Sequence, residues 1–115
     1  MKVFISQPMR DRTQEEIENE RAKLIELVRE RREGEKVSEI ASYFGPAATF
    51  DPMEYLGMAI QMMNRADLVV FAPDWEKARG CRIEHICAEE YGIDIMHSWA
   101  DPSTGQYWEF KPSEK

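Results

Sequence analysis

The chain reads as one α/β domain, with a parallel sheet of four or five strands and helices on both faces. Three observations point there. Short β-rich runs alternate with amphipathic segments in the order βαβαβαβ, an order that calls for a parallel sheet and right-handed crossovers. The run Asp67-Leu68-Val69-Val70-Phe71-Ala72 holds consecutive apolar residues, the mark of a central strand buried on both faces. The length, 115 residues, suits one hydrophobic core and is short for two domains.

Lys2 to Ser6 is a buried first strand, broken by Gln7-Pro8. Thr13-Gln14-Glu15-Glu16 is a capping box, in which the Thr13 hydroxyl and the Glu16 carboxylate satisfy backbone donors at a helix start. Behind it Ile17, Leu24 and Val28 recur at helical spacing, and Leu27 and Ala22 widen the stripe. Glu15, Glu16, Glu18 and Glu20 crowd the start of this helix and Arg29, Arg31 and Arg32 its end, which complements the helix dipole. These charges read as a solvated face rather than a binding surface. Gly34 stops the helix.

Lys36 to Ala41 alternates as a second strand, and Ser42 to Phe50, with Gly45-Pro46, is a loop. Asp51-Pro52-Met53-Glu54 opens a second helix whose buried stripe is Leu56, Ala59, Ile60 and Met63. After the central strand, Pro73 to Arg79 is a loop. Gly80 then opens a third helix that turns Ile83, Ile86, Cys87 and Tyr91 toward the core. Gly92 closes it and Ile93 to His97 is a fourth strand. Asp101 to Gly105 is a turn, Gln106 to Phe110 a candidate fifth strand, and Lys111 to Lys115 a frayed tail. The whole, residues 1–115, has the element order of a Rossmann-like (flavodoxin-like) domain with an aromatic extension over 98–115. The extension's Trp99, Tyr107, Trp108 and Phe110 either meet a second copy of the chain or fold back on its own sheet.

The net charge of −7 and pI near 4.9 argue against nucleic-acid polymers and anionic membranes as partners. No apolar run is long enough for a signal peptide or a membrane span, so the chain is expected in the cytoplasm. Cys81 and Cys87, six apart on one helix, are expected as reduced thiols.

In parallel α/β sheets ligands bind beyond the carboxyl ends of the strands, where strand order reverses. That rule selects the loops Ser6–Arg12 and Pro73–Glu84. The first lacks the glycine fingerprint of a dinucleotide site but offers the Ser6 hydroxyl, the Gln7 amide and Arg10 ahead of a helix N-terminus. In the second, Asp74 follows the buried strand, with its carboxylate expected to point into the crevice, and Glu84 falls in the first turns of the third helix. Two carboxylates facing one crevice can hold sugar hydroxyls and stabilise positive charge at an anomeric carbon. Arg82 and Arg79 can offset a phosphate, and Trp75 can stack on a base. Each residue also has a structural reading: Asp74 as a turn residue, Glu84 as a helix-start acid, Trp75 as a cap on the core. Cys81, His85 and Cys87 lack a tight ligand pattern, so no metal or other cofactor is expected, and His97 reads as structural.

Three blocks taken together, Lys2 to Arg10, Ala66 to Pro73 and Trp75 to His85, resemble a small phage and bacterial family. That family is similar to the nucleoside 2-deoxyribosyltransferase superfamily, which includes the deoxynucleoside monophosphate N-hydrolases. The resemblance covers residues 1 to about 97. It implies Glu84 as the nucleophile at the anomeric carbon, Asp74 as the group handling the sugar or a proton, Ser6 with Arg10 at the phosphate, and Gly80 at a close turn. It also implies a homo-oligomer. The chain departs from the transferase pattern at Ala78-Arg79, where those enzymes place another acid. If Arg79 approached Glu84 the two would pair, depressing the carboxyl's pKa. The function expected is an N-glycosidase or deoxyribosyltransferase-like enzyme acting on a nucleoside 5′-monophosphate or related small nucleotide. The alternative is a non-catalytic nucleotide-binding module.

Overall fold

A computed structural model of the chain describes residues 1–43 and 51–110. The Gly45-Pro46 loop and the 111–115 tail lie outside the described residues. The sheet is built from β1 (Lys2–Ser6), β2 (Ser38–Glu39), β3 (Leu68–Phe71), β4 (Asp94–Ala100) and β5 (Tyr107–Phe110), in the spatial order β2-β1-β3-β4-β5. The first four strands run parallel and β5 runs antiparallel to β4. Three helices connect them: α1 (Gln14–Arg31), α2 (Pro52–Met63) and α3 (Arg79–Glu90). Strand order reverses between β1 and β3, whose following loops therefore leave from adjacent strand ends.

Strand alternation divides the core in two. Val3, Ile5, Leu68 and Val70 face α1 and pack on Leu24 and Val28. Phe4, Val69 and Phe71 face the other way and meet Ala59 and Met63 of α2 and Ala88 of α3. α1 starts on the expected capping box: Thr13 Oγ1 accepts from the Glu16 N–H at 3.1 Å, and Glu16 Oε1 accepts from the Thr13 N–H at 3.0 Å. Such a cap contributes about 1 kcal/mol to a helix. At the start of α2 the Asp51 N–H donates to Glu54 Oε1 at 3.4 Å.

Several expectations need correction. The second strand is two residues long, not six, because only Ser38 and Glu39 find ladder partners in β1. Ala22 is exposed, whereas Glu20, expected on a solvated face, is buried, and so is Arg21. In α3, Ile86 and Tyr91 point to solvent, 57% and 83% exposed. The buried face of that helix is Cys81, Glu84 and Ala88, at i, i+3 and i+7. A stripe drawn through apolar residues alone is therefore out of phase there. The described part of the C-terminal extension, through Phe110, folds back on the chain's own sheet. It pairs Trp108 with Trp99 and Tyr107 with Ala100, and leaves Trp99, Trp108 and Phe110 partly exposed. Among the described residues no helix is long and apolar enough to cross a membrane.

Candidate functional site

Ser6, Phe71 and His97 are register partners across β1, β3 and β4 and form one row at the carboxyl end of the parallel strands. α3 lies over this row. Its buried face brings Glu84 to Ser6, and the next residue, His85, to Phe71 and His97. Ser6 Oγ donates to Glu84 Oε1 at 2.6 Å, and both side chains are buried. Glu84 Oε2 accepts no hydrogen bond among the described residues, and no buried side-chain oxygen there lacks a partner, so Oε2 keeps contact with solvent.

Burial pushes the Glu84 carboxyl up to about 7, against the opposing pull of the Ser6 hydrogen bond and the Arg21 charge. The condition for an Arg79 pairing is not met. Arg79 is exposed and makes no hydrogen bond or ion pair among the described residues, so burial decides the carboxyl's proton affinity. One turn earlier Cys81 is buried, and burial drives its thiol up to about 12, with the Ser6 hydrogen bond opposing and the Glu84 charge adding. It is no nucleophile at neutral pH. Cys81 and Cys87 are both free cysteines.

The next residue of the chain, Gln7, faces α1 and enters a different cluster. Its Nε2 donates to Ile17 O at 3.3 Å and Glu20 Oε1 at 3.1 Å, and its Oε1 accepts from Arg21 Nη1 at 2.9 Å. Glu20 also accepts from Arg12 Nη1 at 2.8 Å and, through Oε2, from the Tyr107 hydroxyl at 2.6 Å. Arg21 reaches on to Glu39 Oε2 at 2.7 Å and Ser42 Oγ at 2.8 Å. The same Arg12 Nη1 donates to Pro8 O at 2.8 Å, so the cluster grips the backbone of the loop after β1. Both non-glycine residues with positive φ among those described, Asp11 (62°) and Asp74 (65°), lie in the two loops the switch point selects.

Of the candidates named from sequence, the structure brings Ser6 and Glu84 together. Gln7 is beside them along the chain but spends its amide on α1. Asp74, turned by its left-handed backbone, is 70% exposed and pairs with Lys77 at 3.3 Å. Trp75, in a 3₁₀ turn (Trp75–Lys77), lies flat against His85, ring centroids 4.2 Å apart and planes 9° from parallel. Arg82 Nη1 donates to Glu76 O at 2.8 Å, bracing that turn. Arg10 is exposed and makes no hydrogen bond or ion pair among the described residues. Gly80 sits inside the first turn of α3, and a Cβ there would meet nothing within 4 Å, so the chain's own packing does not require glycine.

Arg12, Glu20, Arg21 and Tyr107 are not among the candidates that sequence reasoning selects. A signal for two of them exists: Glu20 and Arg21 fall at i+3 and i+4 from Ile17 and one turn before Leu24, on the apolar stripe itself. Surface hollows of about 240 Å³ beside Lys23 and Tyr107, and of about 350 Å³ beside Arg21 and Tyr43, include neither Ser6 nor Glu84 in their walls. Among the described residues no three His, Cys, Asp or Glu side chains are grouped to hold a metal ion.

A family model matches residues 1–97, that of a domain of unknown function, DUF4406. No curated protein and no solved structure gives a match. The match ends within β4, so the last residues of β4 and all of β5, with Tyr107, lie beyond it.

Proposed function

This chain belongs to the DUF4406 family, and we propose that it is an N-glycosidase or deoxyribosyltransferase-like enzyme acting on a nucleoside 5′-monophosphate or related small nucleotide. The observation that carries the reading is Glu84. It is a buried carboxyl at the carboxyl edge of the sheet, held by one neutral hydroxyl at 2.6 Å, with its proton affinity raised to about 7. Perturbed carboxyls in such positions cluster at functional sites. The β2-β1-β3-β4 order supports the Rossmann-like (flavodoxin-like) assignment, with the antiparallel β5 added at one edge.

At neutral pH such a carboxyl is present in both protonation states. As the carboxylate, Glu84 attacks C1′ through Oε2 while Ser6 holds Oε1. The C1′–N bond breaks, its electron pair leaves on the base, and the base takes a proton from water. A second water then attacks C1′, giving its proton to the hydroxide left by the first, and the ester breaks to release the sugar phosphate, with the Glu84 carboxylate restored. Arg10, in the loop after β1, offers an exposed cation to the 5′-phosphate.

One observation favours the alternative reading, a non-catalytic nucleotide-binding module. Asp74, the second carboxylate such chemistry would use, faces solvent with Lys77. The two readings separate in one experiment. The purified chain is incubated with ribo- and deoxyribonucleoside monophosphates, free base is followed by chromatography, and Glu84→Gln is run alongside. Base release by the wild type, lost in the variant, is the expected result. Saturable binding with no base released by either protein selects the binding module.

A further inference from the structure

The chain has two histidines, and the fold brings them together. The Nε2 atoms of His85 and His97 lie 2.8 Å apart, a separation at which one nitrogen carries a hydrogen and the other accepts it. His85 Nδ1 is 3.0 Å from Glu89 Oε1, so the carboxylate fixes that nitrogen as an N–H donor. The Trp75 ring covers His85, and Phe71 packs on both imidazoles with centroids 4.7 and 5.9 Å away. The 3₁₀ turn, α3 and β4 thus meet at one point, next to Glu84.

We infer that His85 and His97 form a one-proton latch. A single hydrogen, on His97 Nε2, joins the two Nε2 atoms, and a proton taken up at His97 Nδ1 leaves that bond in place. A further proton, taken up at His85 Nε2 in mildly acid solution, sets N–H against N–H, parts α3 from β4 and shifts the Trp75 ring stacked on His85. The latch is a property of the fold and stands whether or not Glu84 cleaves a glycosidic bond.

The surroundings oppose a charge on both rings at once. Burial, and after it His85, oppose a proton on His97 and outweigh Glu76 of the turn and Glu89 of α3, so its pKa is lowered. β3 and β5 present Phe71 and Phe110 to His97, neither of which carries charge. Arg82 of α3 is engaged by the Glu76 carbonyl. As pH falls below the ordinary histidine value of 6.5, the opened form therefore gains the proton that the closed pair refuses.

The test is an NMR titration of the ¹⁵N-labelled full chain from about pH 8 to about pH 5, following both imidazoles and the Trp75 indole. The indole is assigned by comparison with Trp75→Phe. Two steps at least about one pH unit apart are expected, each felt at both rings, with the indole moving only at the second. His97→Asn leaves one step at His85 and removes the acid-linked movement of Trp75, and His85→Asn does the same for His97. Two overlapping steps, each confined to one ring, or an indole signal constant through the range, would overturn the latch. With the indole assigned, the wild-type titration decides the matter even if neither histidine variant folds.

Discussion

Ser6 and Gln7 are consecutive, yet they enter opposite kinds of buried polar site. Strand alternation sends Ser6 to the α3 face, where it meets a lone carboxyl, and Gln7 to the α1 face, where charges are matched. On the α1 side Glu20 is paired with Arg12 and Arg21 with Glu39, both at 2.7–2.8 Å. On the α3 side Glu84 has one neutral donor and no ion-pair partner among the described residues. Matched, hydrogen-bonded charges tie a loop to a helix and define its shape. An unmatched buried carboxyl costs stability, and groups of that kind persist where chemistry or binding needs them.

The contrast can be broken from the matched side with the largest effect. Arg21→Met leaves Gln7 Oε1, Glu39 and Ser42 without their common donor. It is expected to destabilise the fold by about 3–5 kcal/mol, seen as a lower urea midpoint at unchanged slope. A midpoint equal to the wild type would show that the cluster contributes nothing to stability.

The unmatched side behaves in the opposite sense. The folded chain holds the Glu84 proton up to about 7, against 4.5 for an ordinary glutamate. Between those values the unfolded chain releases a proton that the folded chain keeps, so stability falls as pH rises through the window. Glu84→Gln removes that penalty while keeping an acceptor for Ser6. The variant is expected to be more stable by roughly 3 kcal/mol above the window and to lose the advantage below it. Urea unfolding at about pH 8 and about pH 4 checks both limits, and a gain of equal size at the two would refute the titration as its cause.

Tyr107→Phe sharpens the comparison with a smaller effect, because Glu20 keeps Arg12 and Gln7 when the hydroxyl is removed. A loss of about 1.5 kcal/mol is expected, with faster amide exchange along β5. Unchanged exchange there would mean that the ladder to β4 alone holds the strand.

The elements are legible where local chemistry decides them. The Thr13 capping box, the apolar run of β3 and the strand-end position of Ser6 are written in neighbouring residues. Glu84 is legible for the same reason, as a helix-start acid beyond a buried strand. Glu20 and Arg21 escape a sequence reading that equates charge with exposure, although their spacing places them on the stripe of Ile17 and Leu24. Asp74, by its position after the strand, is expected to point into the crevice. Its φ of 65°, a property of the turn after Pro73, carries the carboxylate outward to Lys77. His85 and His97 come together only through the way α3 lies over the β3–β4 pair, a long-range arrangement that no local pattern records.

The two margins of the sheet differ in what they offer to other molecules. β2, with two residues, is too short to template another strand. On the far side β4 is seven residues long, and β5 covers it with an antiparallel ladder fastened to α1 through Tyr107 and Glu20. Stripped of β5, the outward N–H and C=O groups of β4 would form an open edge beside the exposed Trp99 ring, the kind of surface on which strands of separate molecules add and aggregate. β5, which lies wholly beyond the family match, therefore serves as an edge guard, and its loss would make the chain more sociable, not less.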